Sequence, residues 1–119
     1  MSFFVIYKSF YKCYNKVKGG DHLENYRYSV ANINEKDGWI FINCNNGEQY
    51  EDYVPFANFI KTINKDFSGK IIEVGEMRYK IEGLEPDMIF QWDDLFGIVV
   101  IYNDNKEEVL DFLRRTVIL

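Results

Sequence analysis

Apolar and polar side chains alternate along Tyr26-Arg27-Tyr28-Ser29-Val30, the period-two pattern of a strand with one face buried. Asp37-Gly38 then marks a hairpin turn, residues 39–44 form a second strand, and Asn46-Gly47 marks another turn. Residues 49–53 follow as a third strand, so this part of the chain reads as a meander. The period changes at Pro55, which suits a first helical turn because its missing N–H has no partner to lose there. Phe56, Phe59, Ile60, Ile63 and Phe67 come at steps of three and four, one core-facing stripe on a helix over residues 55–66, and Ser68-Gly69 ends it.

The second half returns to strands. Residues 70–74 and 77–82 flank Gly75-Glu76, a Gly-X pair that suits a type II′ hairpin. A loop with Pro86 spans 83–87, residues 88–92 form a strand, 93–96 connect, and the apolar run 97–102 is a central strand. Asp104 stands as a helix N-cap with Glu107 three residues on, a capping-box spacing. Val109, Leu110, Phe112 and Leu113 give this last helix its buried stripe, and Arg114-Arg115 suit the negative end of its dipole. At the N-terminus Phe3, Phe10, Tyr14 and Val17 recur at helical spacing before Gly19-Gly20, which predicts a helix over at least 9–18. Phe3 to Tyr7 is also a strand-like run, so a strand followed by a short helix is the alternative there. The expected fold is α+β: a mainly antiparallel sheet, meander plus hairpin, packed with two or three helices in one domain over 1–119.

Composition agrees with a folded chain: 47% of the 119 residues are hydrophobic and 28% charged. No stretch approaches the roughly 20 apolar residues of a membrane span. Lys8, Lys12, Lys16 and Lys18 follow the apolar start instead of preceding it, the reverse of a secretory signal, so a cytoplasmic location is expected. Cys13 and Cys44 are far apart in sequence; two buried thiols in a reducing compartment, and not a disulfide, are the expectation.

Charge narrows the partner. The net charge is −5, and it is uneven: six basic and three acidic side chains lie in residues 1–36, eight and sixteen in the rest. An acidic body attracts basic partners and repels phosphate, which disfavours direct nucleic-acid binding.

The inventory for catalysis is thin. His22 is the one histidine and lies in a Gly-Gly-Asp-His loop without a partner to position it. No serine sits in a nucleophile elbow, and neither cysteine is spaced to pair with His22. One histidine and two distant cysteines do not make a zinc site, and the acids lack calcium-loop spacing, so no metal, cofactor or enzymatic activity is expected.

What remains is carboxylate interleaved with aromatic rings. Glu85, Asp87, Asp93 and Asp94 surround Gln91 and Trp92, while Glu48, Glu51 and Asp52 sit beside Tyr50 and Tyr53. Such a mixture suits docking on a basic protein, with charge steering approach and rings supplying buried area. It equally suits a solvated face around core aromatics. Trp92, Asp93, Asp94, Glu85, Asp87, Glu51, Asp52 and Tyr53 are the candidate contact residues.

The run Phe90-Gln91-Trp92-Asp93-Asp94-Leu95-Phe96-Gly97-Ile98-Val99-Val100, a strand ending in Gln-aromatic-Asp, then Leu-Phe-Gly, a β-branched strand and a closing helix, resembles bacterial immunity proteins of contact-dependent growth inhibition systems. The likeness covers about the last third of the chain; the rest matches only in size, acidity and Asn/Lys/Ile/Tyr-rich composition. It implies a cytoplasmic antidote that binds and blocks the C-terminal toxin domain of a secreted effector, often a basic nuclease; apart from the resemblance, a monomer or a weak homodimer is the expectation. Within the motif it leaves Leu95, Phe96 and Gly97 structural, Phe96 as a core plug, with Asp93 and Asp94 functional. The competing expectation is a small ligand-binding or regulatory domain whose cavity is enclosed by Tyr and Trp, with few acids around it.

Overall fold

The computed structural model describes residues 26–118. The helix expected over 9–18, and with it Cys13 and His22, lies outside the described residues. Six strands form one antiparallel sheet: β1 (Tyr28–Asn34), β2 (Trp39–Cys44), β3 (Ile71–Gly75), β4 (Arg78–Ile81), β5 (Ile89–Asp93) and β6 (Gly97–Ile101). Helix α1 (Tyr53–Asn64) joins β2 to β3, and α2 (Lys106–Thr116) follows β6. The fold is α+β with mainly β content.

The spatial order is β1-β2-β6-β5-β4-β3. Two hairpin-linked groups, β1–β2 and β3 to β6, therefore meet where β2 pairs with β6, from Trp39 opposite Ile101 to Ile42 opposite Ile98. This pairing explains why no third strand forms over residues 49–53. The free edge of β2 that such a strand would need is occupied by β6. Residues 49–51 instead make turns, and the Gln49 side chain serves the end of β2: its Oε1 accepts from Cys44 N at 2.8 Å.

Period-two alternation gives the sheet two unlike faces. Ile40, Ile42, Phe90, Ile98 and Val100 point to the side covered by α1 and α2, where they form one cluster with Phe56, Phe59, Ile60, Val109 and Leu113. The helix stripe appears as expected, except that Phe67 falls beyond the end of α1 and is exposed. Tyr28 locks β1 to α1; its buried hydroxyl donates to Pro55 O at 2.7 Å and lies 2.8 Å from the Asn58 side-chain oxygen.

Three local expectations are corrected. The β3–β4 turn is centred on Glu76-Met77, not on Gly75: Gly75 pairs with Arg78, and the positive φ of 57° belongs to Met77, so the turn is not type II′. Helix α2 starts one residue later than the Asp104 cap implies. Asn105 is its N-cap, but that side chain donates to Asp87 O and accepts from Asn103 N, so the capping box does not form. Strand β1 continues to Asn34, with an irregular register between Val30 and Asn32.

Candidate functional site

The turn between β5 and β6 is built by Asp93. Its Oδ1 accepts from Leu95 N at 2.7 Å and from Phe96 N at 2.6 Å, an Asx-type closure of the three residues 94–96. Gly97 completes the turn with φ 70°, a left-handed conformation that costs an L side chain energy. Its missing side chain also admits a neighbour: a Cβ there would lie 3.0 Å from Gln49 Cγ and 3.1 Å from the Tyr50 ring. The 48–52 segment thus packs directly on this turn.

Trp92 makes the junction firm. It is half-buried, its Nε1 donates to Gln49 O at 2.6 Å, and its ring stacks on Tyr53. Asp52 caps α1, with Oδ1 accepting from Val54 N at 3.0 Å. The two acidic segments that are about 40 residues apart in sequence therefore share one end of the sheet. Glu48, Glu51 and Asp94 are exposed there.

The apolar residues of this end are more open than the sequence implied. Leu95 is 72% exposed, Tyr50 49% and Phe96 39%. Phe96 is not a core plug; it packs against Trp39 (centroids 5.6 Å apart) and Phe41 (5.7 Å) on the sheet face away from α1 and α2. Sequence reasoning placed Tyr50 beside the acids but missed Leu95 and Phe96 as exposed residues and Trp39 as a half-buried one beside them, because a large apolar side chain next to a strand reads as core until the second layer is known.

The eight candidates divide. Trp92, Asp93, Asp94, Glu51, Asp52 and Tyr53 come together, but Trp92, Asp93, Asp52 and Tyr53 are tied into the scaffold by the contacts above. Glu85 and Asp87 belong elsewhere, before β5, about 20 Å from Asp93 at the rise of an extended strand. Asp87 pairs with Lys80 at 2.7 Å. Glu85 borders a groove of about 510 Å³ between the C-terminal ends of α1 and α2, lined also by Phe67, Leu84, Phe112 and Arg115.

A second concavity, about 690 Å³, lies on the sheet face away from the helices. Trp39, Gln91, Arg78, Glu76, Asp93 and Asp94 line it. Neither groove is an enclosed aromatic cavity of the kind a small-ligand domain would show. Among the described residues no three His, Cys, Asp or Glu side chains are placed to share a metal ion, and no helix is long and apolar enough to cross a membrane. Cys44 is a buried free thiol, and burial raises its pKa.

Comparison with protein-family models, curated proteins and solved structures gives no match, so no site residue is transferred from a relative.

Proposed function

We propose that this chain is a toxin-neutralising immunity protein, acting in the cytoplasm by binding a basic toxin domain, with the 48–52 and 92–97 end of the sheet as its contact surface. One observation carries the reading: the exposed acids Glu48, Glu51 and Asp94 and the exposed apolar Tyr50, Leu95 and Phe96 lie on two segments held together at one end of the sheet. Carboxylates raise the encounter rate with a basic protein, and exposed rings and a leucine supply area that association removes from water. The same carboxylates oppose nucleic acid. The resemblance of residues 90–100 to growth-inhibition immunity proteins points the same way.

The test is a search for a toxin-like domain encoded immediately upstream in the same genome, whose absence would count against the reading, then co-expression with it and co-purification at moderate and high salt. The reading expects restored growth and a soluble complex that weakens as salt rises. It also expects Glu51→Lys with Asp94→Lys to weaken the complex while leaving the fold intact. Cell death despite abundant soluble protein would overturn the assignment.

A further inference from the structure

Phe96 connects the acidic end of the sheet to the face opposite the two described helices. Both described helices pack on the opposite side, so Trp39, Phe41 and Phe96 form an aromatic platform with no described element above it. Beside the platform runs the 690 Å³ cleft, with Trp39 on one wall and the β3–β4 turn on the other. Its lining includes three carboxylates, Glu76, Asp93 and Asp94, against one cation, Arg78. Arg78 is already engaged: its Nε donates to Gln91 Oε1 at 2.6 Å. Asp93 uses only Oδ1 for the turn amides, so its charge and second oxygen remain directed to the surroundings.

We infer that this cleft receives an arginine side chain from an apolar segment of a basic protein, which lays its neighbouring residues on the Trp39, Phe41 and Phe96 platform. The inference rests on the toxin-binding reading and adds where the partner sits and which side chain anchors it. Arginine fits for two reasons. Its planar guanidinium stacks on an indole, and its fork of N–H donors matches carboxylates. A phosphate-bearing ligand meets three like charges there, and a purely apolar segment leaves them buried without partners.

The probe is a synthetic peptide of alternating Arg and Leu, titrated into the ¹⁵N-labelled full chain beside an identical peptide with neutral citrulline for each Arg. The expected result is movement of the Trp39 indole N–H and the amides of residues 93–97 with the Arg peptide alone. Trp39→Ser and Asp94→Lys should each weaken it by about tenfold or more; Asp94 lies on an exposed turn, so its variant stays informative if the Trp39 variant unfolds. Equal binding of the citrulline peptide, no binding, or shifts confined to the 510 Å³ groove overturns the inference. A toxin complex that survives Asp94→Lys and folded Trp39→Ser at full affinity removes the cleft and leaves the antidote reading standing. Arg-peptide binding in the cleft without any toxin complex removes the antidote reading alone.

Discussion

Trp92 and Tyr53 stack with ring centroids 4.9 Å apart and planes 19° from parallel, which joins the end of β5 to the first turn of α1. Each ring has a second anchor: Trp92 Nε1 donates to Gln49 O, and the Tyr53 hydroxyl donates to Met77 Sδ at 2.6 Å. The pair therefore holds the two acidic segments in fixed relation. Trp92→Phe keeps a stacking ring but loses the Nε1 donor to Gln49 O. It should cost about 1 kcal/mol in urea unfolding. Amide exchange should quicken at residues 48–52 more than in the central strands.

Neighbouring acids differ in role. Asp93→Ala removes the acceptor for two turn amides and should lower stability by about 1–2 kcal/mol. Asp94→Lys, at an exposed turn position, should stay within about 0.5 kcal/mol of wild type. Equal losses for both in thermal melts would contradict the Asx-turn account.

Gly38 ends the β1–β2 turn with φ 74°, and its oxygen accepts from Tyr102 N at 2.9 Å. A Cβ there would stand 2.7 Å from Tyr102 O, a backbone atom that no rotamer change can move. Gly38→Ala should therefore cost about 2 kcal/mol or more, seen as a lower urea midpoint with an unchanged slope.

Burial, then the nearby Cys44 and Tyr26, pushes the Tyr28 hydroxyl far above its ordinary range, so the folded protein keeps this proton where the unfolded chain loses it. The unfolded chain binds fewer protons above about pH 10, and stability falls there by up to about 1.4 kcal/mol for each further pH unit. The buried Cys44 thiol, also raised, adds the same sign of dependence from about pH 8.5. Tyr28→Phe should cost about 1–2 kcal/mol at neutral pH and flatten the alkaline decline. A decline as steep in Tyr28→Phe as in wild type would assign it to other groups.

Much of the sheet was legible because its signals are local. Alternation at residues 39–44 and 97–102, Gly38 at a turn, and steps of three and four after Pro55 each reflect one element's own geometry. The failures share a cause. The third meander strand was a sound local inference from Asn46-Gly47, but β6 had already taken the edge of β2. The Asp104 cap lost to Asn105 because Asp87 O offers Asn105 a tertiary partner.

The sequence alone determined the α+β class, the two unlike faces of the strands and the acidic balance, since periodicity and charge are properties of neighbouring residues. Only the tertiary structure decided that residues 48–52 meet residues 92–97, that Asp93 serves a turn while Asp94 faces solvent, and that Phe96 lies on the sheet face opposite the two described helices. Those outcomes depend on which strand β2 accepts as its second partner and on which face the helices cover. Both are set by packing between segments far apart in sequence, where no local pattern carries the information.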